Sequence, residues 1–293
     1  MKAAALRMTP AARAWLGGQG PARPLHIFSQ VCNLIDEEGS VLSLQTDRLP
    51  DGPLSLTLPA AAFGTAGFDR WISGQTVVER GQAALQLGRW TIDWSRAATW
   101  DPMPDWGRLR QSEAWRGHLG ALGGLLVAEA PPGGLAGLLG HGQPAADPLA
   151  VHLLAAAKPL AVGLQWGLAS GDQPAMAEGA AGLAGLGGGL TPSGDDYLVG
   201  VMHALWAERP PVEAAELSWL LAETAAPRTT PLSAAWLRTA ADGQASSLWH
   251  DLLSALLGQA GPVQPAARSL MAVGHTSGAD ALAGFLQTLA TDR

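Results

Sequence analysis

Apolar positions change their period once along the chain. Up to about residue 100 they come in short, partly alternating runs: LHIFSQVCNLI (25–35), SVLSLQT (40–46), LSLTL (54–58) and LQLGRWTIDW (85–94). Such runs, bounded by polar or Gly/Pro turns, predict strands. Asp36-Glu37-Glu38-Gly39, between the first two, predicts a hairpin with a four-residue turn. In the last run the alternation slips by one between Leu87 and Trp90, and Gly88 is placed to absorb the slip as a bulge. After Trp106 the period becomes helical. Helices are expected over 108–130, 147–157, 159–170, 173–184, 194–207, 212–224, 231–241, 245–257, 264–273 and 277–290. Pro159, Pro174, Pro192, Pro211, Pro231, Pro262 and Pro265 fall at or near their starts, where a missing N–H costs little.

The expected fold is therefore α+β: a β-rich N-terminal barrel or sandwich over 1–107, then a larger mainly α-helical domain over 108–293. Trp90, Trp94, Trp100, Trp106 and Trp115 crowd the change of period and read as core at a domain interface. Cys32 lies in a strand pattern and reads as core, not as a nucleophile.

Composition narrows the class. Hydrophobic residues make up 47% and charged residues 15% of 293, too apolar for a disordered chain. One cysteine excludes a disulfide framework and a multi-cysteine zinc site, and fits a reducing cytosol. The formal net charge is -7, and residues after 150 carry six basic against twelve acidic groups. No Lys/Arg cluster offers a face to phosphate backbones, so no nucleic-acid partner is expected. Arg7 and Arg13 interrupt the apolar N-terminus, which argues against a secretory signal. The charge-free stretches near 119–128 and 130–146 are broken by Glu129, Pro131, Pro132 and glycines and do not read as membrane spans. A cytoplasmic protein with no membrane partner is the expectation.

The 37 glycines matter most at Gly185-Leu186-Gly187-Gly188-Gly189-Leu190-Thr191-Pro192-Ser193-Gly194-Asp195-Asp196. Gly187, Gly188 and Gly189 permit a backbone that turns N–H groups onto a ligand, and Thr191 and Ser193 add hydroxyls. Ser193 and Asp196 fit a Ser-x-x-Asp capping pattern at a helix start, a place suited to anions. A capped turn alone would also account for most of this. Two adjacent acids exceed what a cap needs, so Asp195 and Asp196 are candidates for proton transfer, or for Mg²⁺ if a metal binds.

The pattern recurs 84 residues later in His275-Thr276-Ser277-Gly278-Ala279-Asp280: Ser193/Ser277, Gly194/Gly278, Asp196/Asp280, Leu198/Leu282 and Gly200/Gly284 correspond. Both serines are expected to cap helices whose starts converge on one site. Arg228-Thr229-Thr230-Pro231 is a third candidate: Thr229 or Thr230 as a cap before Pro231, and Arg228 as a partner for carboxylate or phosphate. His203 shares a helix face with Asp196 but has no second ligand at metal spacing, and neither His141 nor His152 has a spaced partner.

LGGGLTPSGDDYLVG (186–200), RTTPLSAAWLRTAADG (228–243) and VGHTSGADALAGF (273–285), in this order, resemble the bacterial family that includes a subunit of oxamate carbamoyltransferase. The resemblance implies a transferase subunit of allantoin and purine catabolism that works with two partner subunits, one of them acyl-CoA-synthetase-like. It implies carbamoyl transfer between oxalurate and phosphate, giving oxamate and carbamoyl phosphate, so a small anionic carbamoyl or carboxylate metabolite is the expected ligand. Ala279 and Gln244-Ala245-Ser246 depart from the family pattern, where a more polar or acidic contact is expected. A non-catalytic scaffold or regulatory subunit, and a stand-alone metal-dependent amidohydrolase, are the competing expectations.

Overall fold

The computed structural model describes residues 1–64, 66–140 and 147–291, so His141 lies outside the described residues. The chain forms two compact units, Met1–Pro102 and Met103–Arg293, each with its own hydrophobic core.

The first unit holds β1 (Lys2–Ala4), β2 (Arg7–Met8), α1 (Pro10–Gly17), β3 (Ala22–Ile27), β4 (Val31–Asp36), β5 (Val41–Thr46), β6 (Ser55–Leu58), β7 (Val78–Arg80), β8 (Ala84–Leu87), β9 (Trp90–Asp93) and β10 (Ala98–Thr99). They make one sheet in the order β1-β9-β8-β7-β3-β4-β5-β6-β2-β10. Strands β1 and β2 are one N-terminal segment. Its Ala5 N–H bonds Asp93 O at 2.7 Å and its Leu6 N–H bonds Thr57 O at 2.8 Å, so the segment ties both ends and the sheet curls. Of the two expected architectures, this is the barrel-like one. Leu34, Leu42, Leu44, Leu56, Leu85 and Ile92 fill its inside, together with Trp90, Trp94 and Cys32. Burial pushes the Cys32 thiol up to about 12, consistent with a packed, unreactive sulfur.

Two strand boundaries differ from expectation. The run 25–35 is two antiparallel strands, β3 and β4, because the chain turns at Phe28-Ser29-Gln30, closed by Phe28 N–H to Val31 O at 2.9 Å. The slip at Gly88 is a two-residue hairpin turn between paired Leu87 and Trp90, with Gly88 at φ 56°, a conformation that only glycine takes easily at the first turn position. Asp36-Glu37-Glu38-Gly39 forms the expected turn, with Asp36 Oδ1 accepting from Glu38 and Ser40 N–H.

The second unit is helical: α2 (Trp106–Gln111), α3 (Leu119–Glu129), α4 (Pro148–Ser170), α5 (Gln173–Leu183), α6 (Ser193–Glu208), α7 (Pro211–Ala225), α8 (Pro231–Ala241), α9 (Ser247–Leu256), α10 (Val263–Met271) and α11 (Ser277–Thr291). Side chains of Asp147, Asp172 and Thr230 cap α4, α5 and α8, and prolines open α4, α5, α7 and α8. The expected helix 108–130 is split, because Ser112 is extended after α2 and a 3₁₀ turn spans Ala114–His118. The expected break at Pro159 does not occur. Pro159 and Ala155, one turn earlier, both face outward, so the carbonyl freed by the missing N–H can be solvated. Helix α4 is long and apolar enough to cross a membrane by length and composition alone. Its Ala157, Ala161, Leu164 and Leu168 belong to the helical core, while Leu149, Val151, Val162 and Trp166 are exposed.

Helix α6 is buried on nearly every side and has no amphipathic stripe. Its main partner is α11. Trp106 and Trp115 pack in this core, and so does His203, whose ring stands edge-on to Trp249.

Candidate functional site

The repeated Ser-Gly-x-Asp-x-Leu-x-Gly pattern is a packing device. A β-carbon on Gly200 would overlap Ala281 O, and one on Gly284 would overlap Tyr197 O. Tyr197 and Ala281 occupy the same place in the two copies of the pattern, so α6 and α11 cross about a local two-fold, backbone against backbone. Gly194 and Gly278 likewise abut the Leu183 and Leu270 carbonyl oxygens. Each glycine sacrifices roughly 1 kcal/mol of helix propensity; the close approach it permits brings both helix starts together.

At that meeting point Thr191 Oγ1 lies 3.0 Å from Ser277 Oγ, and Ser193 Oγ lies 3.4 Å from Thr276 Oγ1. The convergence expected from the sequence is present. The expected capping is not. Ser193 and Ser277 are the first residues of their helices, preceded by Pro192 and Thr276, whose carbonyls accept from Asp196 N–H and Asp280 N–H. Freed from capping, the serine hydroxyls face the other helix start.

The acids divide into two kinds. Asp195 is buried and fully engaged: Oδ1 accepts from Gly185 N–H at 2.9 Å, and Oδ2 accepts from Ser233 Oγ at 2.8 Å and from the Thr229 hydroxyl. It clamps the glycine turn to the start of α8. Thr230 reinforces the clamp, capping α8 through Ser233 N–H and donating to Leu190 O at 2.6 Å. Asp196 and Asp280 are different. Asp280 is fully buried, its Oδ1 accepts from Leu135 N–H at 2.5 Å, and its Oδ2 has no hydrogen-bond partner among the described residues. Asp196 is partly exposed at the residue level, yet its Oδ2 is enclosed and also without a partner.

Burial pushes the Asp196 carboxyl well above the usual carboxylate range. The Asp280 and Asp195 charges push the same way, against the pull of the Ser277 and Thr191 hydroxyls. Asp280 is raised too, mainly by burial, and the Leu135 N–H, the Ser193 and Thr276 hydroxyls and the His275 charge limit the rise. Two buried carboxyls that resist ionisation beside four hydroxyls can hold, give and take protons.

The other expected residues surround this pair. Gly187 and Gly189 have φ of 114° and 93°. A β-carbon on Gly187 would come within 2.9 Å of Ser193 N, whereas Gly188 meets nothing within 4 Å and is exposed. His275 is exposed at the edge. Arg228 is exposed as well; its carbonyl oxygen, not its guanidinium, approaches the turn, against Gly185. His203 is excluded from the cluster, buried at the tryptophans, with Nε2 3.2 Å from Gln244 O. The departure Gln244 thus serves through its backbone, and Ala279 and Ala245 pack in the core. His152 bonds the Pro148 carbonyl of its own helix through Nδ1.

Gly134 and Leu135 escaped the sequence reading. A β-carbon on Gly134 would overlap Asp280 Oδ1 and come within 2.9 Å of Thr276 Cβ, so the Pro131-Pro132-Gly133-Gly134 turn walls the site. The turn itself was visible in the sequence; its target, 145 residues away, was not.

The carboxylates considered for Mg²⁺ do not fit it as a set. Among the described residues no three His, Cys, Asp or Glu groups gather as metal ligands, and both Asp195 oxygens already accept hydrogen bonds.

Fold and site together define an α+β protein with a curled sheet, whose candidate site lies in the helical unit between two like helix starts. Residues 183–289, which contain all three motif blocks, match the family described as oxamate carbamoyltransferase subunit AllH. This bears out the resemblance drawn from those blocks. No solved structure matches the chain.

Proposed function

We propose that the chain is a subunit of an oxamate-carbamoyltransferase-like enzyme, with its substrate site at the joined starts of α6 and α11. The observation that carries this reading is the juxtaposition of Thr191, Ser193, Thr276 and Ser277 around Asp196 and Asp280, inside the stretch that matches the family. In the reaction a phosphate oxygen attacks the carbamoyl carbon of oxalurate. The C–N bond to the oxamate nitrogen breaks, and the proton of hydrogen phosphate ends on that nitrogen, giving oxamate and carbamoyl phosphate. Asp196, partly exposed and held in a proton-retaining state, relays the proton. The exposed backbone of Gly187, Gly188 and Gly189 faces the anionic end of the ligand, and Gly194 and Gly278 let the walls close. Asp195, Thr229 and Thr230 hold the turn in shape, while the exposed Arg228 supplies positive charge outside the carboxyl pair and the exposed His275 an imidazole at the edge. The exposed apolar residues of α4 suit contact with partner subunits.

The test is to measure stabilisation of the isolated chain by carbamoyl phosphate, oxamate, oxalurate and phosphate, with and without Mg²⁺, and turnover once candidate partner subunits are added. Stabilisation and partner-dependent turnover that both fall at least tenfold in Asp196→Ala support the reading. Full turnover retained in Asp196→Ala, with no ligand response from the isolated chain, makes the chain a scaffold. Metal-dependent hydrolysis without partners makes it an amidohydrolase instead.

A further inference from the structure

The donors and acceptors of the cluster do not match a simple anion site. At both helix starts several backbone N–H groups are already spent. Gly194 N–H bonds Leu186 O at 2.9 Å and Gly278 N–H bonds Val273 O at 3.2 Å, while Asp195 and Asp196 N–H both bond Pro192 O and Asp280 N–H bonds Thr276 O. The four hydroxyls pair across the helix starts and also draw on the two carboxyls. The enclosed atoms left without partners are acceptors: Asp196 Oδ2 and Asp280 Oδ2. They hold equivalent places in the two copies of the pattern, three residues after Ser193 and Ser277. Among the described residues no guanidinium or ammonium bonds the cluster, and Arg228 is exposed to solvent. A phosphate or carboxylate set against two carboxyl groups would meet repulsion, not a counter-charge.

We propose that Asp196 Oδ2 and Asp280 Oδ2 form a subsite for the uncharged primary-amide end, H₂N–C=O, of the substrate, while its anionic end stays outward toward Gly187–Gly189. A pair of carboxyl groups sharing one proton presents one O–H donor and one oxygen acceptor. A primary amide presents the complement, a carbonyl acceptor and N–H donors. Burial raises both carboxyls, and the Asp280 charge raises Asp196 further, which favours a proton held on the pair. This rests on the carbamoyl-transfer reading and sharpens it: oxalurate, oxamate and carbamoyl phosphate all carry H₂N–C=O, and phosphate does not. Asp280 is then fixed by Leu135 N–H so that its other oxygen meets the ligand, and Gly134 provides the room for that bond.

Ligand-observed NMR or calorimetry with oxamate, oxalate, phosphate and acetamide tests it, using the full chain, Asp196→Asn and Asp280→Asn. Oxalate keeps the anionic end of oxamate and replaces its amide with a carboxylate. The expected result is at least tenfold preference for oxamate over oxalate, collapsing severalfold in either variant that keeps the parent's circular dichroism and melts no lower than it. If Asp280→Asn does not fold, Asp196→Asn, on the more exposed partner, decides the matter. Oxalate or phosphate binding as tightly as oxamate overturns the subsite. So does a preference that survives the variant, or Mg²⁺ binding that Asp196→Asn abolishes. Acetamide binding lost in the variants, with no binding of oxamate, oxalurate or carbamoyl phosphate, upholds the amide subsite and sinks the carbamoyl-transfer reading. Wild-type KM for oxamate in variants assembled with partner subunits does the reverse.

Discussion

Asp195 and Asp196 are neighbours in sequence and opposites in role. On the helix surface adjacent residues point about 100° apart, so one faces the glycine turn and α8 and the other faces α11. Asp195→Ala leaves Gly185 N–H and the Thr229 and Ser233 hydroxyls without their acceptor. Each buried orphan costs about 1–3 kcal/mol, so a loss of several kcal/mol is expected in urea denaturation, with the glycine turn exchanging its amide protons faster. A loss under about 1 kcal/mol, less than a single such orphan, would show that the clamp is not made. The sequence flagged both acids, and Thr229 and Thr230 beside them, because Asp-Asp after a glycine run is conspicuous. Sequence alone had no means of separating a clamp from an open carboxyl, because that depends on which side chains 34 to 38 residues away arrive at each oxygen.

At the scale of elements, α6 and α11 owe their approach to Gly200 and Gly284. Gly200→Ala and Gly284→Ala each force a methyl into a carbonyl oxygen, and the expected cost is at or above the top of the roughly 1–3 kcal/mol range for overpacking. Gly123→Ala in α3 is the control: nothing lies within 4 Å of its position, so the alanine should stabilise by about 0.5–1 kcal/mol. Equal effects in thermal melts of the three variants would remove the close approach as the reason for the pattern. The helix periods were legible as far as their caps: Thr230 before Pro231 is where the sequence placed it. Pro159 was not, because an internal proline is tolerated where the carbonyl one turn earlier can tilt out to solvent, as the exposed Ala155 and Pro159 allow.

Across the whole molecule, buried titratable groups give opposing pH slopes. The folded values of Asp196 and Asp280 are raised, so the native state keeps protons that the unfolded chain releases above about 4. Their contribution is complete below that value and is lost as pH rises toward the raised one. His203 is held down to about 4 by burial. Its contribution is present above about 6.5 and lost as pH falls from there to about 4. Urea denaturation from pH 4.5 to 8 should therefore show Asp196→Asn and Asp280→Asn more stable than the parent at pH 8, with steeper acid loss. His203→Gln should lose the acid-side decline; unchanged slopes in all three would contradict these assignments. Trp166 is 57% exposed, so Trp166→Glu should leave the melting temperature within a few degrees and weaken co-purification with partner subunits.

Local chemistry was enough to determine that this chain pairs a strand-rich part with a helical one, that three motif blocks carry its family resemblance, and that two like helix starts belong together. Periodicity, turn residues and a repeated pattern are properties of neighbouring positions, and neighbouring positions are what a sequence records. The tertiary structure decided the rest: that the sheet is curled by its own N-terminal segment, that Ser193 and Ser277 do not cap, that Asp195 is spent on a clamp, and that Gly134 and Leu135 hold Asp280. Each depends on which distant groups reach one atom, and burial then fixes whether that atom keeps its proton or lacks a partner.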